Sequence, residues 1–182
     1  RDNFSQQILE CCKCGLVFLS RANLGENYYE NSGMHGETAP EAEEWLRDSA
    51  KDDERRYSFL ADAITNRDIL DFGCGAGGFL LRAKDGAKSV VGVELEVRLQ
   101  DFFKKSGLKV FSKIERIPDD SKFDIITAFH VIEHLSDPAA VLAELAKLCR
   151  KDGRIFVEIP SAEDALLTIY ENKPFSEFTY WS

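Results

Sequence analysis

No apolar stretch of the 182-residue chain runs much beyond about ten residues without a charge, so the sequence offers no bilayer-spanning helix. Nor does a basic cluster followed by an apolar core open it, which argues for a cytoplasmic protein. Five cysteines, an odd number, fit a reducing compartment better than a disulfide framework. Positive charge is short as well. Against 32 Asp and Glu there are 23 Lys and Arg, a formal net charge of −9. An acidic protein repels phosphate backbones, so no nucleic-acid partner is expected. The acid excess is spread along the chain, with neither an acidic nor a basic tail. What remains is a globular composition, 44% apolar and 30% charged. It excludes disorder as the default state and supplies ample core. The length fits one domain, with room for a small module only at an end.

Residues 1–36 lack a clear period and hold three cysteines, Cys11, Cys12 and Cys14. From Pro40 to Ile64 the pattern is helical, with Trp45, Leu46, Tyr57, Leu60 and Ile64 on one face and Asp52-Asp53 as a candidate break. Beyond Arg67 short apolar runs alternate with amphipathic stretches. Strands are expected at Ile69–Phe72, Ser89–Val93, Leu108–Phe111, Phe123–Phe129 and Arg154–Ile159. Helices are expected near Phe79–Lys84, over Val97–Lys105, and after an Asp137 cap with Pro138 in the first turn and Gly153 just past the end. A last helix is expected from a Ser161 cap with Asp164 three residues on. This rhythm implies right-handed crossovers and a doubly wound α/β fold, a parallel sheet between two helix layers. Its ligand belongs at the carboxyl ends of the strands.

The sharpest motif is Asp71-Phe72-Gly73-Cys74-Gly75-Ala76-Gly77-Gly78, between a strand and a helix. Glycines there permit a tight turn and let a ligand lie against bare backbone. Glu94 ends the next strand, where a carboxylate can accept from a ribose diol. Gly73, Gly75 and Gly78 also satisfy the dinucleotide fingerprint, which keeps a nicotinamide-dependent oxidoreductase as an alternative. Asp71 weighs against it, because a carboxylate opposes a pyrophosphate but attracts an ammonium and a sulfonium.

In these segments, and in Phe123–Pro138 and Lys151–Arg154, the chain resembles the class I S-adenosylmethionine-dependent methyltransferases over residues 57 to about 160. The Phe123–Pro138 segment is similar to the branch acting on quinone precursors, lipids and sugars. The resemblance implies a Rossmann-like, mainly parallel sheet normally of seven strands. The five readable before Pro160 leave the last ones unaccounted for. It implies S-adenosyl-L-methionine as cofactor and a small-molecule methyl acceptor. Gly73, Gly75 and Gly77 would line the cofactor, Asp71 hold its amino group and Glu94 its ribose. Leu95 and Ile114 would border the adenine, with Lys113 beside them, and Phe129 and His130 would face the transferred methyl. His130 is the candidate general base, since histidine titrates near neutrality.

His130 and His134, four apart around Glu133, lack the second residue of the zinc-helix motif, so no metal is expected there. Cys11 and Cys14 have zinc-knuckle spacing and precede Gly15. In the resembled branch such a knuckle is the second half of a ribbon, followed by a pair like Tyr28-Tyr29. Residues 1–36 therefore read as a partial zinc-ribbon-like segment and 37–182 as the methyltransferase domain. Cys74, and Cys149 on a buried helix face, read as small packing residues. Phe175–Trp181 resembles the start of a substrate-side insertion. A cofactor-binding module without its own catalysis is the remaining alternative.

Overall fold

The computed structural model describes residues 7–19, 41–170 and 173. They fall into two compact units, one of residues 27–158 and one joining 1–26 with 159–182. In the smaller unit, strands β1 (Ile8–Glu10) and β2 (Val17–Leu19) pair antiparallel around the Cys11–Gly15 turn. Gly15, at φ 71°, closes that turn by donating to the Cys11 carbonyl at 2.8 Å.

The larger unit opens with helix α1, Ala42–Ile64, whose first turn carries Glu43 and Glu44 where the helix dipole favours acids. It does not break at Asp52-Asp53. Asp53 is instead buried against the next helix and accepts a hydrogen bond from Ser49 at 2.7 Å, which removes the reason for a break. Strand β3 (Asp68–Phe72), helix α2 (Gly78–Ala83), strand β4 (Ser89–Val93), helix α3 (Gln100–Lys105) and strand β5 (Lys109–Phe111) follow. A 3-10 turn, Val97–Leu99, leads into α3 where the sequence suggested one continuous helix. Strand β6 (Phe123–Phe129), helix α4 (Pro138–Leu148) and strand β7 (Cys149–Glu158) complete the unit.

All neighbours in the sheet are parallel, in the order β5-β4-β3-β6-β7. The central strands are mostly apolar because helices cover both faces, with Asp71 and Thr127 as their buried polar residues. Ile69, Phe79, Leu80 and Phe103 anchor one core cluster, and Leu70, Ile126 and Leu145 the other. Strands are added outward from β3 to β5 on one side and from β6 to β7 on the other, so the strand order reverses between β3 and β6. The carboxyl ends of these two parallel strands form the crevice where doubly wound sheets take ligands.

Two expectations near α4 fail. The helix stops at Leu148, its Asp137 cap accepting from Ala140 N–H at 2.9 Å, and Cys149 already belongs to β7. Gly153 lies inside that strand, where residues 150–153 bulge before pairing resumes at Ile125–Arg154. In the smaller unit, Ser161 caps a turn at Glu163 rather than the four-residue helix α5, Ala165–Thr168.

Candidate functional site

Strand β3 delivers the chain into the glycine loop at the switch point. Gly73, Gly75 and Gly77 have φ of 74°, 53° and 79°, a region that strains any L side chain. Space is equally restrictive. A Cβ on Gly73 would run into Val131, one on Gly75 would lie 2.9 Å from Trp45 Cζ2, and one on Gly77 2.7 Å from Leu108 Cδ1. The Gly73 and Cys74 amides donate to the Val93 carbonyl at 2.8 and 3.0 Å, tying the loop to the end of β4. Glu94 accepts from Gly75 N–H at 2.8 Å on one oxygen and from Glu96 N–H at 2.9 Å on the other. Burial pushes the Glu94 carboxyl up, against those amides. A carboxylate offers about four acceptor positions, so Glu94 keeps capacity for a diol while holding the loop.

Asp71 is 3% exposed and accepts from Thr127 Oγ1 at 2.7 Å. Burial pushes it up to about 7, the Thr127 hydrogen bond pulls it down, and the Asp53 charge adds to the rise. A cationic group brought beside it favours the ionised form. Burial likewise raises Asp53, though Ser49 and Arg56, 3.7 Å away, oppose it. Hydroxyls donating to Glu94 and a cation near Asp71 are what this pair of acceptors fits. Leu95 and Ile114 are partly buried, and Ile114 starts a 3-10 turn packed against the core cluster that contains Val93. Lys113, just before it, is exposed.

The other lip is made of side chains. Phe129 meets Phe79 edge-on at 5.2 Å and carries the Arg56 guanidinium 4.8 Å above its ring. His130 sits at φ 53° and donates its amide to the Glu158 carbonyl at 2.8 Å. Its ring nitrogens lie 3.2 Å from Glu133 Oε1 and 3.2 Å from Glu158 Oε1. Arg55 and Arg56 both reach Glu158, at 2.9 and 2.7 Å. Burial would raise the Glu158 carboxyl, but these guanidiniums outweigh it and bring it down to about 2. His134 lies 3.9 Å from Glu133.

The sequence motifs thus supply the glycine loop, Asp71, Glu94, Phe129 and His130 at one end of the sheet. The sequence does not single out Thr127, Arg56 and Glu158, and it presents Trp45 and Asp53 as a core-facing residue and a helix break, not as parts of a site. Only the Asp53/Arg56 spacing of i and i+3 was a local trace of their joint role. Glu158 pairs with residues 102 and 103 positions away, which no local pattern signals.

Elsewhere, a cavity of about 620 Å³ lies near the amino ends of β3 and β6, lined by Arg67, Asp124, Arg150 and Arg154 among others. Arg150 bridges Asp68 and Asp124 there at 2.9 and 3.0 Å, so its charge is spent on holding strand starts together. Cys74 is buried, as a packing residue should be, and burial pushes its thiol up. Cys149 is only partly buried, and opens a strand instead of lining a helix face. Backbone amides of Lys13 and Cys14 lower the Cys11 thiol. Among the described residues no group of three or more potential ligands forms a metal site, and no helix is long and apolar enough to cross a membrane. Tyr28-Tyr29 and Phe175–Trp181 lie outside the described residues.

Comparison with known proteins bears on this arrangement. The profile of a methyltransferase domain family matches residues 43–182. A ubiquinone biosynthesis O-methyltransferase of Neisseria meningitidis is 33% identical over 105 residues, 51% of this chain and 44% of that protein. A tRNA U34 carboxymethyltransferase of Campylobacter hominis is 32% identical over 104 residues, 52% of this chain and 36% of that protein. The chain therefore spans less than half the length of either relative. With a tRNA-directed relative in view, the acidic net charge does not exclude a nucleic-acid acceptor. Among solved structures, the YcgJ protein of Bacillus subtilis aligns with a TM-score of 0.51 at 26% identity, covering 65% of this chain and 56% of that one. The [4+2]-cyclase SpnF aligns at 0.51 and 20% identity over 61% of this chain and 47% of its own, a likeness of fold alone. Strand order, glycine loop and profile match agree: the chain belongs to the methyltransferase domain family, within the class I S-adenosyl-L-methionine-dependent methyltransferases.

Proposed function

We propose that this chain is the core of a methyltransferase that moves a methyl group from S-adenosyl-L-methionine to a small-molecule acceptor, a sugar, a quinone precursor or a lipid. The observation that carries the reading is Glu94, which grips Gly75 of the loop while keeping acceptor capacity at the end of β4. Gly73, Gly75 and Gly77 would leave backbone bare against the cofactor, Glu94 would accept from its ribose, and Asp71 would face its amino group. Leu95 and Ile114 would flank the adenine, with Phe129 and His130 on the methyl side. When bound, the cofactor supplies an electrophilic methyl on a sulfonium with a neutral thioether as leaving group. The work left to the protein is alignment and exclusion of water, and well-oriented reactants account for much of such a rate. Trp45 against Gly75, and Phe129 on Phe79, give the crevice apolar walls suited to both tasks.

As part of the same reading, residues 37–182 form the methyltransferase domain and residues 1–36 a segment with half a zinc-ribbon-like motif. A nucleic-acid acceptor is the second reading, favoured by the tRNA-directed relative. Calorimetric titration with S-adenosylmethionine, S-adenosylhomocysteine and NAD, on wild type and Glu94→Ala, tests the cofactor half. Binding of the adenosyl ligands alone, weakened by the substitution, is the expected result; preferential NAD binding sinks the proposal. Transfer of labelled methyl to catechol, sugar and lipid acceptors or to tRNA then separates the acceptor classes.

A further inference from the structure

We propose that His130 serves the acceptor side of this site as a fixed imidazolium clamped between Glu133 and Glu158, with Glu158 as its positioning residue, and is not the proton acceptor of the reaction. The inference rests on the methyltransferase reading for its functional meaning, but its geometry stands alone. A neutral imidazole carries one N–H, so it satisfies a carboxylate on one ring nitrogen only. His130 has one on each: Glu133 Oε1 at 3.2 Å from Nδ1 and Glu158 Oε1 at 3.2 Å from Nε2. The Glu133 contact is a hydrogen bond and the Glu158 contact an ion pair across 3.2 Å. A carboxylate oxygen that close repels the lone pair of a bare ring nitrogen, so the doubly protonated ring suits both neighbours.

The backbone fixes the ring further. His130 holds a left-handed conformation, φ 53°, uncommon for a residue other than glycine. Its amide donates to the carbonyl of the same Glu158 at 2.8 Å, extending the β6–β7 ladder by one bond. Glu158 is itself anchored. Arg55 spans both of its oxygens at 2.9 and 3.0 Å, and Arg56 donates to Oε1 at 2.7 and 3.1 Å. Two guanidiniums keep that carboxylate ionised, so it does not relieve His130 of its proton.

The charged groups facing the ring come from three elements. Glu133 and His134 belong to the turn after β6, Glu158 to β7, and Arg55 and Arg56, with Asp53 behind them, to α1. The hydrogen bond to Glu133 raises the His130 ring, against partial burial and the Arg56 charge. The signs of the two roles are opposite. A general base loses function as pH falls through its pKa. A clamped cation is untouched on that side and loosens as pH rises through its pKa.

Nitrogen-15 spectra of the histidine rings, recorded on the whole chain from pH 5 to 9, test the clamp. His130 is assigned by its loss in His130→Gln. Both ring nitrogens should be protonated at neutral pH, with a midpoint above that of free histidine, and both Glu133→Gln and Glu158→Gln should lower it. A neutral single tautomer at pH 7, or a midpoint indifferent to both substitutions, overturns the proposal. Glu133 sits in the turn after β6 and outside the contacts that Arg55 and Arg56 make with Glu158, so Glu133→Gln keeps the test alive if Glu158→Gln unfolds the chain, as circular dichroism will show. Titration with S-adenosylhomocysteine on the same samples separates the two readings. A clamped ring without ligand binding sinks the cofactor reading, and ligand binding beside a neutral ring sinks the clamp.

Discussion

The two lips of the switch-point crevice are built from different materials. The lip after β3 and β4 is backbone: three glycines at positive φ, amides shared with the Val93 carbonyl, and one carboxylate gripping the loop. The lip after β6 and β7 is charge: His130, Glu133 and Glu158 held by Arg55 and Arg56 of α1. The first is made by residues within about two dozen positions of one another, the second by residues more than a hundred apart. A backbone site tolerates no side chain, whereas a charge network yields gradually when one partner goes.

Breaking the first lip should have the larger effect. Gly73→Ala meets both a positive φ and the Val131 side chain. We expect destabilisation on the order of 2 kcal/mol and loss of measurable S-adenosylhomocysteine binding, read by thermal denaturation and calorimetry. Glu94→Ala comes next. It removes acceptors for the ligand and the restraint on Gly75, so affinity should fall on the order of 30- to 100-fold at about 1.5–3 kcal/mol per charged hydrogen-bonding group. The fold should survive, and unchanged affinity in a folded variant would remove Glu94 from the site.

The second lip should give way in steps. Arg56 is 12% exposed and touches Glu158, Asp53 and the Phe129 ring, whereas Arg55 is 56% exposed. Chemical denaturation should show Arg56→Ala costing about 2 kcal/mol and Arg55→Ala about 0.5 kcal/mol. Equal losses would mean burial does not govern this network. Glu158→Gln adds a pH signature. Its native carboxyl titrates at about 2, below the ordinary range of about 4.3 for glutamate. Its stabilisation is therefore present above that range and lost as pH falls towards 2. Wild type and variant should differ by about 1 kcal/mol at pH 7 and converge in acid.

Asp71→Asn should show the opposite sign. Asp71 titrates at about 7 when folded against about 3.9 unfolded. The folded state then binds the extra proton between those values, so stability falls as pH rises through the window. The variant should gain in thermal midpoint over wild type at pH 8 relative to pH 4, while binding S-adenosylmethionine less well. A constant difference across that range would contradict the buried, easily protonated Asp71.

How much of this was legible follows from the range of each cause. Alternation of apolar runs predicted all five strands of the main sheet to within a residue or two at their starts, save β7, which begins at Cys149 rather than Arg154. The β1–β2 pair left no mark because three-residue strands are too short for a period. Asp52-Asp53 looked like a helix break because isolated acids disfavour a buried face. It is none because Ser49 and Arg56, themselves on α1, satisfy Asp53.

By itself, then, the sequence determined the doubly wound order of elements, the glycine loop and the acid that follows it. Each depends on backbone conformation or on neighbours along the chain, and such constraints are written locally. Tertiary structure alone decided that α1 lays Trp45 on Gly75, and that Glu158 gathers Arg55, Arg56 and His130. Those contacts arise from the packing of elements distant in the chain. A charge or an indole there is as compatible with open solvent as with the site until the sheet brings β7 beside β6 and the helix across them.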